Sequence, residues 1–572
     1  MNVKKVNESF AVTEQLSVED VAALAAQGVK SLICNRPDGE APGQPSYAEI
    51  AAAAQQHGMS IRHVPIVSGQ VSQADVEAFG AALTELPAPV VAYCRSGTRS
   101  INLWALDQGS KGMPVAEILK TGSALGYDLT ASVQKIESSM AAAREASIVD
   151  LVSSAPSAAS STRHFSVVII GAGAGGISTA SSLLKRKPDL QIAIIDKAQK
   201  HYYQPGWTMV GAGVFQDSDT ERDMAPLIPH GVTWIQAAAQ EFSPEQNRVT
   251  LDDGTIVSYD RLVVACGIKL NWAGVEGLTE SLGRNGVTSN YRYDLAPYTW
   301  KLVQGLKSGR AVFTQPPMPI KCAGAPQKAL YLSSDYWLRQ GVLNSIDVQF
   351  YNAGAVLFGV KEYVPALMQY IERYRATLNF SHRLIKVDGD AKTAWFERTE
   401  ADGQKSVVET NFDMIHVCPP QQAPDVIRSS PLADAAGWVD VDQETLRHKK
   451  YSNIWSLGDV MNAPNAKTMA AARKQAPVVA HNLLADMGVT HGTARYDGYG
   501  SCPLTVENGK IVLAEFGYGG KLLPSFPEWL IKGTEPSRLA WILKKDLLPP
   551  IYWHGMLKGH EWLVAPTLDS RE

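Results

Sequence analysis

The feature that most constrains this chain is a β-branched strand, SVVII (166–170), running straight into GAGAGG. Gly171, Gly173 and Gly176 thereby form G-x-G-x-x-G ahead of an amphipathic helix, ISTASSLLKRK. A second strand follows, QIAIID, ending on Asp196. Glycines so placed allow a tight turn and close approach of backbone to a pyrophosphate, which rests on the positive end of the helix. The acid about 20 residues on takes the ribose hydroxyls. The spacing predicts a βαβ dinucleotide-binding unit, and with it an α/β architecture.

At 572 residues the chain exceeds one hydrophobic core and calls for two or three domains. Residues 1–130 alternate short apolar strands (VKSLIC, IRHVPI, APVVAYC) with amphipathic helices such as VEDVAALAAQ, the rhythm of a small α/β domain. Residues 131–164 are rich in Ala and Ser and read as a helical stub and linker. Strand and helix signals resume over 165–520. Residues 521–572 form a tail in which Trp529, Trp541, Tyr552, Trp553 and Trp562 alternate with Lys and Arg. A net charge of -4 argues against a nucleic-acid partner, which requires a basic surface. MNVKKVNESF lacks the apolar stretch of a signal peptide, and no apolar run reaches the roughly 18 residues of a membrane span, so a cytoplasmic location is expected.

Later segments decide between NAD and FAD at the first site. YDRLVVACG, with Ala265 and Gly267, resembles the second flavin-side strand of the two-dinucleotide-domain flavoprotein disulfide reductases. NIWSLGDV resembles their late strand, in which Gly458 and Asp459 meet the flavin's ribityl chain. The resemblance implies FAD, with further contacts from Lys197, Gln204 and Ala239. It also implies that Lys467, ahead of the helix MAAARKQAP, stabilises the reduced flavin. Members that use NADH carry a second glycine fingerprint. Here the strand RAVFTQP is followed by PMPIKCAGAPQKALYL, which offers a pyrophosphate no cradle and puts Cys322 in the turn.

That segment, with HYYQPGWTMVGAG, HVCPPQQAPD and YDGYGSCPL, closely resembles the mitochondrial-type sulfide:quinone oxidoreductases over residues 165 to 570. The resemblance implies oxidation of sulfide through a persulfide at Cys322, electron transfer to FAD, and a membrane quinone as acceptor. Lys321, next in sequence, is expected to favour the Cys322 thiolate. A relay needs a second thiol to resolve the persulfide. The position read for it, directly after Gly458 and Asp459, holds Val460, which makes Cys418 the candidate, with a buried structural thiol as the alternative. Cys266 and Cys502 read as packing residues.

In the front domain, Cys94 ends an apolar strand and Arg99 closes the loop CRSGTR before a helix. Backbone N–H groups, helix dipole and arginine favour an anion there and a lowered thiol pKa. Four residues between Cys94 and Arg99 match the rhodanese loop, whereas protein tyrosine phosphatases have five. The upstream sequence, SLICNRPDGE to HVPI, resembles instead the phosphatase-like domain fused to some persulfide dioxygenases and β-lactamase-like hydrolases. Val67, Ser68 and Gly69 stand where a phosphatase general acid is expected, and Asp38 is a weak substitute. Cys94 is therefore expected to relay sulfane sulfur to a thiol or to sulfite. The tail is expected to form two short segments, broken at Pro549 and Pro550, that lie at the inner face of a membrane. A lid over the core or a subunit interface is the alternative. Two other functional readings stay open: an FAD enzyme for another thiol or persulfide with a cysteine phosphatase domain, and a redox-sensing module.

Overall fold

A computed structural model describes residues 1–129, apart from 2, 42, 67–70, 72, 112, 114 and 128, and residues 163–569. The linker expected over 131–164 therefore falls almost wholly outside the described residues. The chain divides into two compact units, Met1–Ser160 and Ser161–Glu572.

The front unit is built on a five-stranded sheet. Phe10–Thr13, Val90–Tyr93, Ser31–Cys34 and Ser60–His63 run parallel in that order, and Lys4–Lys5 adds an antiparallel edge. The three inner strands are buried along their whole length, as parallel strands covered by helices on both faces must be. Two of the helices, Val18–Ala26 and Tyr47–Gln56, begin at serine capping boxes, Ser17 with Asp20 and Ser46 with Glu49.

The second unit holds two larger sheets, one mixed, with Arg248–Leu251 and Ala239–Ser243 antiparallel at one edge, and one parallel. In the first, Val232–Ile235, Ile192–Ile195, Arg163–Ile170 and Ile256–Val264 lie side by side, and Ile454–Ser456 also pairs with Ile256–Val264. Val167 to Ile170 and Ile192 to Ile195 are fully buried, and the helices Ala174–Arg186 and Met469–Asp486 pack together over this sheet. In the second sheet the order is Val287–Thr288, Met414–His416, Gly309–Gln315, Ile346–Asn352, Thr377–Phe380, all parallel. The strand Gly309–Gln315 feeds the helix Ala325–Arg339 through the turn that carries Cys322. A hairpin of Gly500–Glu507 and Lys510–Phe516 closes this side.

The tail departs from the expected two segments. Arg538 to Lys558 is one helical run in which ordinary turns alternate with wider five-residue turns at Leu543–Leu547 and Ile551–Gly555. The prolines do not break it. Pro549 and Pro550 lack the N–H that an ordinary turn would bond, and widened turns on either side absorb that loss. No helix among the described residues is long and apolar enough to cross a membrane.

Candidate functional site

Gly171 sits at φ +99°, and a Cβ there would lie 2.6 Å from the Ala265 carbonyl oxygen, so only glycine lets the two strand ends meet. A Cβ on Gly176 would lie 1.9 Å from the Gly171 oxygen: this glycine serves the packing of helix on strand. Asp196 fixes the loop by accepting from Ala172 N at 2.7 Å and Ala198 N at 2.8 Å. Around these groups opens a cavity of about 900 Å³. Gly171, Gly173, Asp196, Gln204, Ala265, Gly267, Gly458, Asp459, Lys467 and Cys322 all line it, whereas Lys197, Gly176 and Ala239 do not. The helix Met469–Asp486, capped by the Thr468 side chain, turns its N-terminus toward this space. A cavity long enough for a dinucleotide, with a glycine turn, an acid and two helix N-termini, fits a flavin dinucleotide.

Lys467 lines the cavity with its side chain tied to the protein. Its Nζ donates to the carbonyls of Asp459 (2.7 Å) and Met461 (2.8 Å) and lies over the Trp438 ring at 4.2 Å, and burial pushes its pKa down to about 8. The lysine thus ties the late strand's loop to the helix start. Its backbone does a second job: Lys467 O accepts from Cys322 N at 2.8 Å, which fastens the cysteine turn beside the flavin helix. Cys322 itself is held at φ +49°, a conformation costing a non-glycine residue roughly 1 kcal/mol or more.

The sulfur chemistry gathers on Cys322. Its Sγ lies 3.9 Å from Cys502 Sγ and receives a hydrogen bond of 3.0 Å from Lys328 Nζ. The Cys502 thiol, donating to it, and then the Lys328 ammonium hold Cys322 well below the usual thiol range, while Cys502 is pushed well above it. Cys322 is the thiolate of the pair. A Cβ on Gly324 would meet Cys502 Sγ at 2.5 Å, so the glycine makes the room in which the second sulfur sits. Lys321, the expected partner, instead donates to Gln204 Oε1 at 2.6 Å. The first turn of the following helix, not the sequence neighbour, delivers the cation.

Cys502, read as a packing residue, reaches Cys322 because the hairpin folds back onto the cysteine turn, a long-range contact that no local pattern records. Cys418 shares an apolar cluster with Cys322 and Tyr291, but its Sγ faces Gln421 Nε2 at 3.7 Å and the Pro419 carbonyl at 3.9 Å. Burial pushes its thiol up to about 12. Val460 is fully buried. Cys266 lines the cavity, and burial likewise raises it to about 12.

The tail lines the same cavity through Leu543, Lys544, Leu548, Ile551, Tyr552 and Met556. Burial, reinforced by the nearby Lys328, pushes Lys544 down to about 7. Tyr552 donates to His201 Nε2 at 2.5 Å, whose Nδ1 in turn faces Ala172 O, and Arg186 pairs with Glu561 at 2.6 Å. The tail thus forms part of the cavity wall. Its outer side exposes Leu539, Ile542, Leu547, Trp562 and Leu563.

In the front unit Cys94 is buried at the strand end, and Gly97, at φ +82°, starts the helix Thr98–Ser110. Arg99 donates to Ile66 O and Glu40 Oε2, both at 2.7 Å, and Glu40 also pairs with Arg36. Asp38 accepts from Tyr47 N at 2.7 Å and so serves a helix start. Val67, Ser68 and Gly69 lie outside the described residues.

Residues 2–111 match the family described as beta-lactamase hydrolase-like protein, phosphatase-like domain, and residues 165–303 match pyridine nucleotide-disulphide oxidoreductase. The mitochondrial sulfide:quinone oxidoreductase of Dictyostelium discoideum is 44% identical over 407 residues, 70% of this chain and 88% of that protein. The beta-lactamase hydrolase-like protein of Agrobacterium fabrum is 35% identical over 143 residues, 25% of this chain and 33% of that protein. The solved sulfide:quinone oxidoreductase of Aquifex aeolicus shares the fold, with a TM-score of 0.58 at 22% identity over 72% of this chain and 98% of that one. Two dinucleotide-type domains, one carrying a cysteine in the turn where a second glycine fingerprint would stand, define a flavin-dependent disulfide oxidoreductase. More narrowly, the chain belongs to the sulfide:quinone oxidoreductase family.

Proposed function

We propose that this chain oxidises hydrosulfide to sulfane sulfur at Cys322 and Cys502 and delivers the electrons to a quinone. The observation that carries the reading is the pair itself: two sulfurs 3.9 Å apart, one held as thiolate by Lys328, at the edge of a cavity that fits FAD. When bound, FAD supplies the two-electron sink beside the sulfurs. Closing the pair to a disulfide brings the sulfurs from 3.9 Å to about 2.05 Å. Hydrosulfide then attacks one sulfur and the S–S bond breaks. The better leaving group is the sulfur with the lower pKa, Cys322, so the persulfide forms on Cys502. A nucleophilic acceptor, a thiol or sulfite, removes the outer sulfur, and the thiol and thiolate left behind lose two electrons and one proton to restore the disulfide.

The apolar outer side of the tail supports peripheral contact with the membrane that holds the quinone. Cys94, at the end of a buried strand and the start of a helix, supports a sulfur relay in the front domain, with sulfane sulfur as its cargo. The test of the main reading is sulfide-dependent reduction of a short-chain quinone by the full chain. Cys502→Ser should abolish turnover, and Cys418→Ser should retain it within about threefold. Equal loss in both variants, or activity in Cys502→Ser, would refute the assignment of the pair. Residues 1–130 of the chain tested for phosphatase and sulfurtransferase activity decide the role of Cys94.

A further inference from the structure

The hairpin that presents Cys502 has a second face. Side chains alternate along a strand, and Ser501, Pro503, Leu513 and Glu515 all line the cavity, while Cys502, Leu504, Val512 and Ala514 point into the core behind. The cavity lining on this side includes the apolar Leu513, Leu522, Leu523 and Phe526, with Arg473 and Lys474 also in the wall and Lys474 Nζ 5.0 Å from the Tyr499 ring.

Within this lining sits one hydrogen-bonded acid. Glu515 is 5% exposed. Its Oε1 accepts from Tyr499 Oη and from Ser525 Oγ, both at 2.6 Å, and its Oε2 accepts from Ser525 N at 3.0 Å. The two hydroxyls lie 3.1 Å apart. All three donors are neutral. A buried carboxylate is ordinarily paired with a cation, and one held by hydroxyls in a substrate-sized cavity is suited to exchanging protons through them. The cluster reaches water at its edge, where Tyr499 N bonds Asp497 Oδ1 at 3.1 Å and Asp497 pairs with Lys474.

The reaction has a use for such a group. Taking hydrosulfide to sulfane sulfur releases two electrons and one proton, whereas taking a quinone to its quinol consumes two electrons and two protons. Each turnover therefore draws one proton from solvent. We propose that the Tyr499 and Ser525 hydroxyls seat a quinone carbonyl oxygen on the cavity face of the hairpin, and that Glu515 supplies this proton. Glu515 first takes a proton from water beside Asp497, which frees the Tyr499 O–H to turn to the quinone. As the quinone takes up its electrons, an O–H bond forms to its oxygen, the Tyr499 O–H bond breaks, and the Glu515 O–H bond breaks in turn to restore the proton to Tyr499. The hairpin thus works on both faces, with sulfur on one and quinone on the other.

The assignment rests on the quinone reading above, and the experiment separates the two. Full-length flavin-loaded protein and its Glu515→Gln, Tyr499→Phe and Ser525→Ala variants are reduced anaerobically with hydrosulfide, then reoxidised with a short-chain ubiquinone. Quinone affinity is measured separately, from the perturbation of the flavin spectrum. In Glu515→Gln, flavin content and quinone affinity should stay within about twofold while reoxidation slows by about 10²-fold. Tyr499→Phe should follow it, and Ser525→Ala should lose far less. Wild-type reoxidation rates in both Glu515→Gln and Tyr499→Phe would overturn the proton assignment alone. So would a defect confined to quinone affinity and matched by Ser525→Ala, which would make Glu515 a pin for the 521–526 loop. A wild-type protein bleached by hydrosulfide but never reoxidised by quinone would overturn the acceptor reading itself.

Discussion

Replacing Lys328 with methionine removes the one cation bonded to Cys322 and keeps most of the side-chain volume. At 3.0 Å, two unit charges with an effective dielectric of about 20 interact by about 5 kcal/mol. The hydrogen bond from Cys502 and residual solvent relaxation reduce what is lost, and a clear rise in the Cys322 pKa is the expected net effect. Cys322 is now depressed, so its thiolate persists to lower pH than that of an ordinary thiol; in Lys328→Met the midpoint moves to higher pH. The assay is the pH profile of iodoacetamide alkylation at Cys322 in the reduced protein, read by peptide mass. At neutral pH the rate should fall by about 10²-fold and recover as pH is raised. An unchanged midpoint would refute the claim that Lys328 sets the thiolate.

Other outcomes follow from the same structure. Gly171→Ala, with its Cβ forced to 2.6 Å from Ala265 O, should purify with little or no flavin, read from the ratio of visible to protein absorbance. Leu539→Ser together with Ile542→Ser removes two exposed apolar side chains, each worth about 1.5–3 kcal/mol when buried in lipid. Vesicle flotation should drop sharply while turnover with a water-soluble quinone persists. Cys94→Ser should leave flavin bleaching by hydrosulfide intact and remove persulfide label from the front domain, seen by persulfide-specific tagging.

Much of this was readable from residue order alone. The glycine fingerprint, the acid that fixes its loop and the missing second fingerprint are local patterns, because a turn, a strand end and a helix start lie within a few residues of one another. The pairing of Cys322 was not readable. Its partners are 180 and 6 positions away: Cys502 arrives on a hairpin folded back from the end of the domain, and Lys328 arrives through the helical turn that follows the cysteine. The sequence neighbour Lys321 points elsewhere, toward Gln204. The tail prolines misled for a different reason. They forbid a standard helical bond but tolerate a wider turn, and packing on Ser181, Arg186 and His201 supplies the stabilisation that local propensity lacks.

The most direct measurement is an anaerobic titration of the purified yellow protein with hydrosulfide, followed by peptide mass analysis of its cysteines. Bleaching of the flavin with one added sulfur on Cys502, absent when Cys322 is serine, is the expected result. A flavin that keeps its colour, or an added sulfur found on Cys418 in place of the hairpin cysteine, would contradict the account.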